Sequence, residues 1–237
     1  MTLDDWLRGH PYLDGVAREH ARVAAAVDAV AVPALPLPDW DSYREDFEAG
    51  IPLLASGNAA IDLEPAAMAI PQVIDVLRNQ RGGAPDESVE RYVTWLVSSK
   101  ALQPLVRAFA DWRDEDRWMR RYCPACGSLP AMAQLTGNDP GRKRFLCCGC
   151  CRSRWRYART GCPFCETESH SLASVGIEGE GGLRIDYCAS CRAYLKTYDG
   201  QGAEQVLLAD WTSLHLDVVA RDRGLQRLAA SLYELNS

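Results

Sequence analysis

Residues 122–165 have the sequence YCPACGSLPAMAQLTGNDPGRKRFLCCGCCRSRWRYARTGCPFC, in which CxxC turns recur. Four such pairs occur between residues 123 and 191, and they are Cys123/Cys126, Cys148/Cys151, Cys162/Cys165 and Cys188/Cys191. A CxxC turn can hold two sulfur atoms at about 2.3 Å from one ion, and a second turn across a hairpin completes a tetrahedron. The spacing therefore predicts two ribbons, each closing one four-cysteine metal site.

The surroundings of the cysteines favour metal over disulfides. The N-terminus, MTLDDWLRGH, has acidic residues where a secretory signal needs basic ones, and no apolar run approaches the roughly 18 residues of a membrane span. We therefore expect a cytoplasmic protein that makes no membrane contact, where thiolates on metal are favoured over disulfides. Four sulfurs suit zinc and also rubredoxin-like iron, so we expect two ions of either kind. A closed four-sulfur site is usually structural, so no catalytic residue is predicted and the protein is not expected to be an enzyme.

The second CxxC turn of the first ribbon has an ambiguous register. The run Cys147-Cys148-Gly149-Cys150-Cys151 allows either Cys147 with Cys150 or Cys148 with Cys151 to bind the ion. The two remaining thiols are either small buried side chains or accessible groups that exchange metal or sulfur.

Outside the cysteine region the sequence is helical. Apolar residues recur at helical spacing around 12–31, 40–50 and 64–80, and again from about 86 through Pro104 to Trp112. Helical spacing returns after Gly202, and a glycine at 224 precedes a short final helix. The predicted fold class is mainly α with small β ribbons. The expected parts are a helical domain (1–120), a first metal ribbon (121–160), a second metal ribbon (161–200) and C-terminal helices (201–237) that pack back on the first domain.

Basic residues surround the second CxxC turn, although the whole chain has a formal net charge of -6. The candidate partner-binding residues are Arg152, Arg154, Arg156 and Arg159. Guanidinium groups near a four-thiolate site would also lower thiolate pKa values, which gives these arginines a structural explanation as well. The four histidines match no motif spacing and are expected in packing or surface positions.

Several motifs in and around the ribbons resemble the formate dehydrogenase accessory proteins, the FdhE family. CPACGSLP at 123–130 resembles the CPxCGSxP opening of that family, and LCCGCCRSRW at 146–155 resembles its CxxCxxxW element. Aligned on Trp155 and Arg159, this resemblance makes Cys148 and Cys151 the second pair, with Cys147 and Cys150 as additional thiols. Arg184, Cys188, Cys191 and the triplet Tyr194-Leu195-Lys196 also resemble the family, as does the closing stretch 208–217. His10-Pro11 resembles the start of the family's N-terminal helix.

The resemblance implies a cytoplasmic accessory factor that binds the catalytic subunit of a respiratory formate dehydrogenase and supports its maturation. Two alternatives remain at this point. One is a nucleic-acid-binding zinc-ribbon protein, suggested by the basic residues and opposed by the acidic total charge. The other is a rubredoxin-like iron redox protein.

Overall fold

The structure is a computed structural model that describes residues 1–81, 87–138, 140–167, 171–180, 182–200 and 205–230. Of the described residues, 45% are helical and 17% are in strands, which confirms the predicted fold class of helices with small β ribbons. The helices are α1 (Leu3–Gly9), α2 (Asp14–Asp28), α3 (Trp40–Ala49), α4 (Glu64–Ala67), α5 (Ala69–Arg81), α6 (Glu87–Trp112), α7 (Gln205–Leu208) and α8 (Leu214–Asp222). The strands are β1 (Pro130–Thr136), β2 (Lys143–Cys148), β3 (Arg154–Tyr157), β4 (Leu172–Gly176), β5 (Leu183–Cys188) and β6 (Tyr194–Asp199).

The helix predicted over residues 64–80 is divided in two. The break falls at Met68, between α4 and α5, and Pro71 lies in the first turn of α5. Proline has no backbone N–H and is tolerated in a first turn, so starting a new helix avoids a missing hydrogen bond in a helix interior. In α6, by contrast, Pro104 is accommodated inside one continuous helix of 26 residues.

Both ribbons belong to one six-stranded sheet with the order β3-β2-β1-β6-β5-β4. Each ribbon contributes an antiparallel meander, and the two meet where β1 pairs with β6 in parallel, with Met132 opposite Lys196. Almost every residue of β1 and β6 is buried, as expected for strands covered on both faces. The two metal ribbons therefore share a continuous hydrogen-bonded centre, which the sequence pattern did not predict.

Three groups of buried side chains hold the parts together. The first packs α2, α5 and α6 through residues such as Val23, Val73 and Val93. The second joins α3 and α6 to the first ribbon, with Phe109, Trp118 and Trp155 at its centre. In the third, the N-terminal segment and the C-terminal helices pack on the sheet. The C-terminal helices therefore pack mainly on the sheet, and they reach the N-terminal segment through a hydrogen bond of 3.0 Å from Trp6 Nε1 to the Thr212 carbonyl.

The helix expected after Gly224 does not form over the residues that the structure describes. Residues 225–230 lack helical structure, and Gln226 instead makes an isolated bridge to Ala193. Residues 231–237, where the remainder of the predicted helix falls, lie outside the described part of the chain.

A buried ion cluster links the second ribbon to the C-terminal segment. Lys196 is fully buried on β6, and its Nζ lies 2.6 Å from Asp210 Oδ1 and 2.7 Å from Asp217 Oδ2. Arg227 pairs with both carboxylates, at 2.8 Å and 2.9 Å. Burial alone would raise the pKa of Asp210, but Lys196 and Arg227 outweigh burial and lower that pKa to about 2. Lys196 comes from the motif at 194–196 and the two aspartates from the stretch 208–217, so the structure gives those separate motifs one shared role, to which Arg227 adds a second cation.

Candidate metal centres

The four CxxC turns, which we call knuckles, have the same backbone design. In each knuckle the N–H of the first cysteine donates to the carbonyl five residues later, as from Cys123 to Ser128 and from Cys148 to Ser153. The residue directly after the second cysteine has a positive φ, and these residues are Gly127 (78°), Arg152 (60°), Glu166 (59°) and Arg192 (59°). This left-handed residue turns the chain so that both sulfurs of a knuckle face the same side.

The first four-cysteine cluster is enclosed by the core. Cys123 Sγ lies 3.4 Å from Cys151 Sγ, and Cys126 Sγ lies 3.4 Å from Cys148 Sγ. Cys123, Cys148 and Cys151 are buried, and Cys126 is half-buried. A disulfide needs sulfur atoms about 2.05 Å apart, whereas a tetrahedral ion with 2.3 Å bonds separates them by about 3.8 Å. These distances fit a shared ion and do not fit cystines.

The second cluster has the same ligands in a more open position. Cys162 Sγ and Cys191 Sγ are 3.8 Å apart, and Cys165 Sγ and Cys188 Sγ are 3.7 Å apart. Cys165 is exposed, unlike any cysteine of the first cluster. All eight predicted ligands are thus brought together as two quartets whose sulfur atoms lie within 4.8 Å of one another. Each quartet could hold one ion.

Hydroxyl groups support three of the four knuckles. Ser128 Oγ lies 3.3 Å from Cys126 Sγ, Ser153 Oγ lies 3.3 Å from Cys151 Sγ, and Thr167 Oγ1 lies 3.1 Å from Cys165 Sγ. Each hydroxyl stands two residues after the second cysteine and can donate to it as a thiolate. The contact with Thr167 is the main reason that the pKa of Cys165 falls to about 6.

The geometry of the second knuckle favours Cys148 and Cys151 as its ligand pair. Cys148 and Cys151 face the first cluster, and the left-handed residue Arg152 follows Cys151 as Gly127 follows Cys126. Cys147 instead points away, is buried against the third group of core side chains, and has a pKa raised by burial to about 12. Cys150 is half-buried and packs against the core around the first cluster.

The four candidate arginines do not form one surface. Arg152 and Arg154 line a cleft of about 300 Å³ between α6, the second knuckle and residues 206–212; we call it the central cleft. Arg156 pairs with Asp116, and Arg159 lines a different, smaller pocket beside the second cluster. Arg152 and Arg159 are exposed, whereas Arg154 is half-buried with its guanidinium 5.0 Å from the centre of the Phe145 ring.

Sequence analysis missed two features. Arg113, at the end of α6, lies near the first cluster. Burial lowers the pKa of Arg113, and Cys123 and Cys151 offset part of that fall.

The second feature is a group formed by His10, His215 and Glu180, which lie far apart in the sequence. Their ligand atoms lie within 4.8 Å of one another. No sequence signal identified this group, because His10 directly follows α1, Glu180 lies in the β4–β5 connection and His215 lies in α8.

Comparisons with known proteins agree with the ribbon motifs. A family model described as "FdhE, central domain" matches residues 122–159. A curated "Protein FdhE homolog" from Aquifex aeolicus is 33% identical over 129 residues, which cover 52% of this chain and 46% of the relative. Another, from Pseudomonas aeruginosa, is 35% identical over 123 residues, covering 48% and 39% of the two chains. The matched region therefore spans less than half the length of these curated relatives.

The fold itself is also found in a solved structure. The crystal structure of the FdhE protein from Pseudomonas aeruginosa superposes with a TM-score of 0.63 and 24% identity, covering 98% of this chain and 93% of that chain. This similarity extends the shared architecture to the helices that flank the ribbons. Among the residues described here, no helix combines the length and apolar character needed to cross a membrane.

Proposed function

Given that the chain carries an FdhE central domain on an FdhE-like fold, we propose that it is a cytoplasmic, non-catalytic accessory factor. Its partner is the catalytic subunit of a respiratory formate dehydrogenase, whose maturation it supports. The observation that carries this proposal is that the match to the family's central domain, residues 122–159, contains all four cysteines of the first cluster, and the second cluster follows directly in the same chain. The eight cysteines hold two metal ions, and these ions fix the sheet on which the partner surface is built.

The central cleft is the best candidate for the partner surface. It combines an apolar wall, with Trp95, Leu96 and Met132, and two guanidinium groups from Arg152 and Arg154. Apolar surface with a few charged groups is the usual composition of a recognition site. Such a cleft suits an extended segment with apolar and acidic side chains.

Co-purification tests this proposal. The chain and the catalytic subunit are produced together, and complex formation is compared between wild type and Arg152→Glu. Glutamate is conformationally acceptable there, because Glu166 occupies the equivalent left-handed position of the third knuckle. We expect the variant to lose most of the complex, by tenfold or more. Lys143→Glu is the matched control, since Lys143 is exposed on the same ribbon and does not line the cleft.

Two outcomes would count against the proposal in different ways. If wild type captures no catalytic subunit, the accessory role is wrong. If Arg152→Glu and Lys143→Glu bind as well as wild type, the role stands and the central cleft is not the surface.

A rubredoxin-like redox role is the second candidate, and exposure of Cys165 at the second cluster favours it, because an electron can enter at an exposed ligand. Elemental analysis of protein purified without oxygen or added metal distinguishes this redox role from a role in which the clusters are only structural. Zinc in both clusters excludes electron transfer through them, whereas iron with a reversible potential supports it.

The arginines give little support to nucleic-acid binding. Arg142 forms an ion pair with Asp199 at 2.8 Å, Arg144 is buried, and Arg156 pairs with Asp116. Basic side chains that are buried or paired with carboxylates inside the fold cannot form the continuous positive stripe that phosphate backbones require.

A further inference from the structure

We propose that His10, Glu180 and His215 form a third metal site, which binds a divalent transition ion such as Zn²⁺ through two imidazole nitrogens and one carboxylate. The site lies apart from both four-cysteine clusters and contains no sulfur ligand. It joins the N-terminal segment, the β4–β5 connection and α8. The proposal does not depend on the accessory role.

The distances between the three groups suit such an ion. His10 Nε2 lies 3.0 Å from Glu180 Oε1, and His215 Nε2 lies 2.9 Å from the same oxygen. Bonds of about 2.0–2.1 Å place neighbouring ligand atoms about 3.0 Å apart at right angles and about 3.3 Å apart in a tetrahedron. Only a small outward movement is therefore needed to admit the ion.

His10 is already oriented as a ligand. Its Nδ1 lies 2.8 Å from the carbonyl oxygen of Trp6, so Nδ1–H donates there, and in the neutral imidazole Nε2, which faces Glu180, is the nitrogen that can bind an ion. Metal-binding histidines commonly donate their other ring N–H to a carbonyl or carboxylate in this way. The Trp6 ring, with its centre 3.8 Å from that of His10, stacks on the imidazole and limits its rotation.

The other two groups have buried atoms that lack partners. Glu180 Oε2 and His215 Nδ1 are buried and have no hydrogen-bond partner among the described residues. The Glu180 side chain is only 9% exposed, so water does not readily satisfy it. Buried polar atoms without partners are costly, and a divalent cation bound between the carboxylate and the two neutral imidazoles offsets that cost.

Three protein ligands leave at least one coordination position for water or a small anion. This arrangement differs from the closed four-sulfur clusters, and it is the arrangement found in zinc sites that exchange ligands. The Tyr12 ring lies beside both histidines, with ring centres 5.7 Å and 5.6 Å away, so it forms a wall of the site.

Cobalt titration of the full chain, with both four-cysteine clusters already filled with zinc, tests the proposal. We expect one further equivalent of Co²⁺ to bind with visible ligand-field absorption and without the near-ultraviolet band of sulfur-to-cobalt charge transfer. Glu180→Gln and His215→Gln should each weaken this binding by more than the roughly 10- to 100-fold loss produced by removing an outer-shell partner. Glu178→Gln, an exposed neighbour in the same connection, should bind as wild type does.

Retention of the two zinc ions in each variant shows that it has folded. The proposal is overturned if wild type takes up no cobalt, or if cobalt binds with sulfur charge transfer. It is also overturned if Glu180→Gln and His215→Gln bind cobalt as tightly as Glu178→Gln does.

Discussion

A single residue with a positive φ completes every knuckle, and in three of the four it is not glycine. A left-handed conformation costs an L-residue roughly 1–2 kcal/mol, so Arg152, Glu166 and Arg192 hold strain that other interactions of the knuckle must offset. The first knuckle avoids this strain with Gly127.

Glu166→Gly should therefore stabilise the protein. Glu166 is exposed, so little is lost when its side chain is removed. The glycine removes backbone strain from the folded state, which stabilises it, and adds conformational entropy to the unfolded chain, which opposes this. The first contribution is larger by about 0.5–1 kcal/mol. The midpoint temperature of thermal unfolding of the metal-loaded protein should rise by about 1–4 °C. Gly127→Ala should lower it, and a lower midpoint for Glu166→Gly would refute this account of the knuckles.

Cys147 and Cys148 are neighbours with opposite roles. Cys148→Ala removes a ligand from the first cluster and should release one ion, whereas Cys147→Ala should keep both sulfur-bound ions because Cys147 lies in a different core group. Metal content per chain after gel filtration measures the difference. Equal loss in both variants would mean that the register is wrong.

At the scale of elements, the two ribbons have the same knuckles but differ in shielding. The first cluster lies under α3 and α6, and the second has the exposed ligand Cys165. Because a chelator needs access to a ligand, accessibility should control the rate at which an ion is lost.

We therefore expect a zinc chelator to remove the ions in two phases, with the second cluster emptied at least tenfold faster. A chromogenic chelator follows the release, and Cys148→Ala identifies the phases. That variant should retain only the fast phase. Retention of only the slow phase would reverse the assignment.

The sequence predicted the ribbons and the helices around 12–31 and 40–50, which the structure places at 14–28 and 40–49, because each depends on neighbouring residues. It did not predict the parallel pairing of β1 with β6 or the group formed by His10, Glu180 and His215. Those features depend on contacts between distant segments, and neither leaves a spacing that can be recognised along the chain. The four arginines looked like one surface in sequence, yet strand and knuckle geometry send them to separate places.

Across the whole molecule, the buried cluster around Lys196 fastens the C-terminal segment to the sheet. Lys196→Met should destabilise the protein by about 3–5 kcal/mol, because the buried Asp217 and the half-buried Asp210 would both lose the fully buried cation that pairs with them. Limited proteolysis should show early cleavage between residues 205 and 230. Lys143→Met, at an exposed lysine on the sheet, is the control and should change stability by less than about 0.5 kcal/mol.

The hydrogen bond between Trp6 and Thr212 connects residues 206 positions apart. During synthesis at about 5–20 residues per second, the N-terminal segment must wait about 10–40 s after leaving the ribosome before its partner exists. Throughout that interval the Trp6 and Leu13 side chains have no finished surface to cover them. These two side chains therefore stay open to chaperones and proteases until the segment around Thr212 has been made and has packed against them.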